Sequence, residues 1–258
     1  MMFLDDPKVS RVVFYPRKVK SSADLNENIK ALKFEMDDDI LLGGYIYIND
    51  PSLPSILMFH GNGEIALEYQ YFFKDYINCG VNLAVMDFRG YGFSEGKPTY
   101  TSLINDAVPI YTQFLGYLEQ KEFNQKVFVL GRSLGSVCAA EIGSNNPEKL
   151  AGIIFESGFA SLHDMMNRLF NVKGPNITES TLKPYSNDTR VKKFKKPLLI
   201  IHGSNDWIIP KDQAKQLYEA APDAIEKNII IIEGATHNNI HSFKEEYFSN
   251  LKKFIKKN

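Results

Sequence analysis

The sequence predicts an α/β fold: a doubly wound, mostly parallel sheet of eight strands, helices on both faces, and an antiparallel pair at its start. Short apolar runs alternate with amphipathic stretches along almost the whole chain. Several runs, among them Val127-Phe128-Val129-Leu130 and Ile229-Ile230-Ile231-Ile232, show no polar alternation. Strands covered on both faces read this way. The chain has 258 residues and no repeat, low-complexity tract or linker-like stretch, so residues 1–258 are expected to form one domain with a substantial core.

Residues 32–36 and 40–48 read as the antiparallel pair, turned by Asp37-Asp38-Asp39, and Gly43-Gly44 suggests a bulge or bend in the second strand. The remaining strands are expected at Ser55–Phe59, Asn82–Met86, 126–130, 150–155, 197–201 and 228–232. Between them, Ile65, Tyr69, Phe72, Phe73 and Tyr76 fall on one helical stripe, and 103–118, 134–142, 211–221 and 242–255 read as helices. One connection is too long. About 40 residues separate Phe155 from Pro197, where a crossover helix needs roughly a dozen. Within it, Phe159, Leu162, Met166, Leu169 and Phe170 form a stripe before Gly174-Pro175-Asn176 turns the chain. Residues 158–195 are therefore expected either as a helix with a surface excursion or as a small lid insertion, lined by the adaptable Met165 and Met166.

Thirty basic against 31 acidic residues leave a net charge of −1, so no bulk field recruits nucleic acid or an anionic membrane. Cys79 and Cys138 are too few for a disulfide framework and lack zinc-type spacing, so a reducing, cytoplasmic setting is expected. No apolar run approaches the roughly 18 residues of a membrane span. The first seven residues meet Asp and Pro before a signal-peptide core could form. The sequons at Asn176 and Asn187 then read as chance.

Chemistry concentrates at Gly131-Arg132-Ser133-Leu134-Gly135. A Gly-x-Ser-x-Gly pentapeptide alone is a weak signal. Here it closes a buried-type strand and opens a helix rich in small residues (Ser136, Cys138, Ala139, Ala140), the strand–turn–helix context of a nucleophile elbow. Such a turn holds Ser133 in a strained conformation and aims the next helix's N-terminus at the reaction centre. A serine hydroxyl also needs a base steadied by an acid. Later strand ends supply both, Asp206 in His202-Gly203-Ser204-Asn205-Asp206 and His237 in Glu233-Gly234-Ala235-Thr236-His237. Carboxyl ends of parallel strands share one rim, so the three can converge there, in the chain order this fold uses. Ser133 is the expected nucleophile, His237 the general base and then acid, and Asp206 the group orienting the imidazole.

An oxyanion needs two N–H donors. The backbone of Leu134 supplies one, and Asn62 in His60-Gly61-Asn62-Gly63, after the first parallel strand, is the candidate for the other. Glu156, one strand earlier than Asp206, is the alternative acid. His241 reads as a packing or surface residue of the last helix, His60 and His202 as turn or core residues, and His163 as surface.

The elbow, the His60–Gly63 loop and Asp87-Phe88-Arg89-Gly90-Tyr91-Gly92-Phe93-Ser94-Glu95-Gly96 together resemble the α/β-hydrolase superfamily. The likeness covers about residues 30 to 257 and is nearest to the branch with monoacylglycerol lipases, serine aminopeptidases and protein depalmitoylases. It implies acyl transfer through a Ser133 ester with no metal or organic cofactor. It also makes 87–96 a structural loop, in which Asp87 and Arg89 are expected to pair. Serine at the elbow speaks against the epoxide-hydrolase and dehalogenase branches, and Met1–Ser10 lacks the cysteine cluster of membrane-acting depalmitoylases.

The expected function is hydrolysis of small-molecule or lipid acyl esters. A thioesterase or aminopeptidase on the same triad, or a non-catalytic scaffold, are the alternatives. Lys192, Lys193, Lys195, Lys196 and the lysine-rich C-terminus read as solvated ends. The other reading is a weak membrane footing, with Leu251, Phe254 and Ile255 facing together.

Overall fold

The computed structural model describes residues 3–19, 23–36 and 39–258. Asp37 and Asp38 of the expected first turn lie outside the described residues. Eight strands form one sheet: β1 (Ile29–Glu35), β2 (Leu41–Tyr47), β3 (Ser55–Phe59), β4 (Asn82–Met86), β5 (Val127–Arg132), β6 (Leu150–Glu156), β7 (Leu198–Gly203) and β8 (Lys227–Ile232). Their order is β1-β2-β4-β3-β5-β6-β7-β8. β2 runs antiparallel to both β1 and β4, and every later pairing is parallel. All residues of β3, β4, β5 and β7 are buried, which is why their sequences carry no alternation.

Helices cover both faces. One face carries α3 (Tyr100–Gln120), α4 (Ser136–Asn145) and α8 (Lys211–Ala220), and the other carries α2 (Phe73–Ile77) and α9 (Lys244–Lys257). (α1 is Pro7–Val13; α5, α6 and α7 are Leu162–Arg168, Glu179–Leu182 and Asn187–Val191.) A capping box starts α3, with Thr99 accepting from the Ser102 N–H while Ser102 accepts from the Thr99 N–H. The sequence reading had no element at α1, although Asp6 and Pro7 are a helix-start signal. Asp6 accepts from the Lys8 N–H at 2.7 Å, and Pro7 takes the first helical position.

Three expectations need correction. Gly43-Gly44 makes no bulge, because β1 and β2 keep unbroken register from Ile29↔Tyr47 to Glu35↔Leu41. The glycines are there for room: a Cβ at Gly43 would fall on the Phe93 ring, and one at Gly44 on the Val85 carbonyl and Met86. The stripe from Ile65 to Tyr76 is two short pieces rather than one helix, a 3-10 turn at Ala66–Tyr71 and then α2, separated where Phe72 leaves helical geometry (φ −139°, ψ 4°). Tertiary bonds fix the first piece, since the Ala66 N–H donates to Asp87 and its carbonyl accepts from the Tyr47 hydroxyl. Finally, Leu251, Phe254 and Ile255, which the alternative reading of the last helix set facing outward together, are buried against the sheet.

Residues 158–195 hold α5, α6, a 3-10 turn at Lys183–Tyr185, and α7, which packs on α4 and α8. Asn187 of the second sequon is fully buried, its amide donating to the Ser136 hydroxyl and the Phe159 carbonyl. Among the described residues no helix is long and apolar enough to cross a membrane.

Candidate active site

Ser133 follows the last residue of β5 with φ +49°, a left-handed conformation in a residue with a side chain. The surrounding packing enforces it. A Cβ at Gly131 would stand 2.5 Å from the Gly135 carbonyl oxygen and 2.6 Å from the Ser136 Cα, so only glycine lets the chain reverse so tightly.

Three strand ends meet here. The Ser133 hydroxyl lies 3.0 Å from Nε2 of His237, and Nδ1 of the same ring lies 2.7 Å from Oδ2 of Asp206. A carboxylate only accepts, so Nδ1 carries the proton and Nε2 is left bare to accept from the hydroxyl. The other Asp206 oxygen accepts from the Ile208 and Ile209 N–H groups at 3.0 and 2.8 Å. That leaves the carboxylate no freedom to turn from the imidazole.

His202 is buried beside them. Burial pulls its pKa down, so the ring is neutral at pH 7. Its Nε2–H points at the Ile209 carbonyl (2.8 Å) and lies 3.4 Å from Asp206, which makes it a brace for the acid's loop.

Leu134 sits in the 3-10 turn Ser133–Gly135, at a helix start where N–H groups have no intrahelical partner. Asn62 lines the same cleft. Its side chain is engaged at both ends: Oδ1 accepts from the Tyr91 hydroxyl at 2.6 Å and the Tyr15 N–H at 3.1 Å, and Nδ2 donates to the Val13 carbonyl at 2.7 Å. The segment after α1 is thus strapped across the His60–Gly63 loop, and Arg17 adds a bond to the Gly63 carbonyl. Sequence reasoning missed this strap, because its bonding is long-range, to residues 46 to 76 positions away.

Glu156, the alternative acid, is occupied elsewhere. It accepts from Arg132 at 2.5 Å and from the Tyr247 hydroxyl at 2.6 Å, and it faces His241 Nε2 at 3.1 Å. His241 precedes the last helix, in the turn Ile240–Ser242, rather than lying inside it. The expected Asp87–Arg89 pair does not form. Asp87 faces His60 at 3.2 Å, whose pKa is raised because this carboxylate outweighs burial. Arg89 instead reaches α3 and grips Asp106 with two bonds of 2.7 Å.

Burial alone would raise the Glu156 pKa. His241, Arg132 and the Tyr247 hydroxyl outweigh it and hold the carboxyl well below the usual carboxylate range. A depressed folded-state pKa contributes stability that is complete above the unfolded-state value of about 4.3 and is lost as pH falls below it. Thermal midpoints should therefore drop as pH falls below about 4.3. Glu156→Gln should be less stable at pH 7 and show a shallower acid limb, and an unchanged limb would place the acid sensitivity elsewhere.

The cleft above Ser133 has a volume of about 250 Å³. Phe159, Met165, Leu169, Phe170, Ile208 and Ile209 form its apolar wall, four of them from residues 158–195. Glu64 is its carboxylate, held by Arg132 Nε (2.7 Å), the Tyr69 hydroxyl (2.8 Å) and the Gly61 N–H (3.1 Å). Among the described residues no three His, Cys, Asp or Glu side chains converge as metal ligands. The lysines at 192–196 lead into the start of β7, at the opposite rim of the sheet from the cleft.

A strained serine after a central parallel strand, facing a histidine and an aspartate from later strand ends, defines an α/β hydrolase. The model of the serine aminopeptidase family S33 matches residues 51–187 and 186–242, and the chain belongs to that family. Protein bem46 of Schizosaccharomyces pombe is 25% identical over 97% of this chain and 87% of its own length. Human alpha/beta hydrolase domain-containing protein 17B is 27% identical over 78% of this chain and 66% of its own. The chain spans 58% of the related Arabidopsis thaliana protein WAV2. An esterase of Pyrococcus furiosus shares the fold with a TM-score of 0.73, at 22% identity over 94% of this chain and 98% of that one. Est1E of Butyrivibrio proteoclasticus does so at 0.69, with 16% identity over 87% and 98%.

Proposed function

We propose that this hydrolase cleaves carboxylic esters of short or medium acyl chains through an acyl-Ser133 intermediate. The observation that carries the proposal is the His237 imidazole, seated between the Ser133 hydroxyl at 3.0 Å and the Asp206 carboxylate at 2.7 Å. His237 takes the hydroxyl proton as Oγ bonds to the acyl carbon. The resulting oxyanion is held by the backbone N–H groups of Leu134 and Asn62. As the intermediate collapses, the C–O bond to the alcohol breaks and His237 returns the proton to that leaving group. A water then gives its proton to His237 and attacks the acyl carbon, and the acid departs as Oγ regains a proton.

The cleft favours acyl groups over aminoacyl groups. A peptidase that reads a free amine needs a carboxylate to meet it. Glu64, the one acid lining the cleft among the described residues, is paired with Arg132 and has both oxygens bonded. A thioester would follow the same steps with a thiol leaving group.

The test is kcat/KM across an acyl-length series of aryl esters, with thioesters and aminoacyl anilides alongside, after a fluorophosphonate has been shown to label Ser133. Each methylene buried against the apolar wall is worth about 0.8 kcal/mol, so kcat/KM should rise by up to about fourfold per carbon until the cleft is full. A flat series, or a preference for aminoacyl anilides, would overturn the ester reading.

A further inference from the structure

Arg132, the residue directly before Ser133, is almost wholly buried, and each of its hydrogen bonds holds a different piece of the site. Nε meets Glu64 Oε1 at 2.7 Å, Nη1 meets Glu156 Oε1 at 2.5 Å, and Nη2 donates to the main-chain carbonyl of His237 at 3.1 Å. Glu64 passes the tie to the Gly61 N–H, one residue before Asn62. Glu156 is itself anchored by Tyr247, Tyr76 and His241. Burial disfavours the cation, but the two carboxylates outweigh it and keep the guanidinium charged. A buried charge is costly unless fully paired, and a tight turn requires none. What this one accomplishes is geometric: one planar group on the nucleophile strand fixes both the loop of the base and the loop of the oxyanion donor.

We propose that Arg132 is a positioning residue. It registers the His237 backbone and, through Glu64, the Gly61-Asn62 loop against Ser133. It touches no reacting atom. A lysine keeps the charge but lacks the fork that reaches three partners at once. The inference rests on the serine-hydrolase reading above. No hydrogen bond of Arg132 reaches the apolar wall of the cleft, so its loss should act on kcat rather than KM.

The experiment compares wild type, Ser133→Ala, Arg132→Lys, Arg132→Met and Glu64→Gln for aryl-ester kinetics, fluorophosphonate labelling rate and the acid limb of kcat/KM. In folded Arg132→Lys and Arg132→Met, kcat and labelling should fall about 100-fold, the loss a misplacement of about 1 Å produces, with KM within about threefold. The imidazole of His237 meets Asp206 at 2.7 Å, with His202 3.4 Å from that carboxylate, while Arg132, paired with Glu64 and Glu156, stands at the main-chain carbonyl of the same residue and His241 follows on its own loop, turned to Glu156. Removing the cation in Arg132→Met should raise the acid limb, and removing the anion in Glu64→Gln should lower it. A merely structural role would lower the thermal midpoint of the folded variants while leaving kcat and the labelling rate near wild type. If wild type neither turns over esters nor is labelled, the serine-hydrolase reading fails. If wild type is active and folded Arg132→Lys keeps kcat within about twofold, the positioning role is overturned. Should neither Arg132 variant fold, Glu64→Gln decides, and an unchanged kcat with an unmoved acid limb overturns the proposal.

Discussion

Ser133→Ala is expected to lower kcat on an activated aryl ester by about 10⁴–10⁶-fold and to abolish fluorophosphonate labelling. The hydroxyl is the only group removed, and in the proposed mechanism it is the group, 3.0 Å from the imidazole, that takes the acyl chain. Residual rate would come from the Leu134 and Asn62 N–H groups and from substrate binding, which the change leaves intact. Both residues carry a Cβ, so the left-handed backbone at φ +49° is equally strained in the variant and the thermal midpoint should move little. Turnover within tenfold of wild type would remove Ser133 from the chemistry, and the ester reading with it.

The largest effect on stability is expected at Gly135. A Cβ there would overlap the Phe59 carbonyl oxygen and come within 2.6 Å of its carbon and 2.8 Å of the His60 oxygen. The Phe59 atoms belong to the end of β3, which is paired on both sides, to β4 and β5, and cannot retreat. Gly135→Ala should cost about 3 kcal/mol or more, the upper end for overpacking because backbone rather than side chain must move. That corresponds to a thermal midpoint lowered by roughly 6–12 °C. Any part of the strain that β3 absorbs will displace Gly61 and Asn62, so ester turnover should fall as well. Gly116, on the exposed face of α3, has nothing within 4 Å of its added Cβ, and Gly116→Ala should stabilise by about 0.5–1 kcal/mol. Scanning calorimetry on the pair separates steric overlap from the general effect of replacing glycine. Equal midpoints would show that the elbow has slack that its packing does not suggest.

The strands were legible because each is a buried apolar run ended by turn residues. Their observed bounds differ from the expected ones by a few residues at most. The positions of Ser133, Asp206 and His237 were legible for a related reason: each follows a parallel strand, and parallel strands end at one rim. Helical pieces were less legible where tertiary bonds override the stripe, as at Phe72. The Gly43-Gly44 pair was misread because a glycine in a strand signals close approach as readily as a bulge, and the approaching Phe93 is distant in sequence. Asp87 and Arg89 were paired on the family resemblance, whereas their partners, His60 and Asp106, lie outside that loop.

The amino-acid order by itself determined the fold class, the elbow and the three side chains that meet above it, because these depend on local patterns and on the direction in which strands run. Only the tertiary structure decided which carboxylate faces His237, where the apolar wall of the cleft comes from, and that Arg132 ties Glu64, Glu156 and the His237 carbonyl together. Those outcomes depend on contacts between residues tens of positions apart. Charge and hydrogen-bond partners at such separations leave no periodic trace along a chain, so they are settled only when the elements pack.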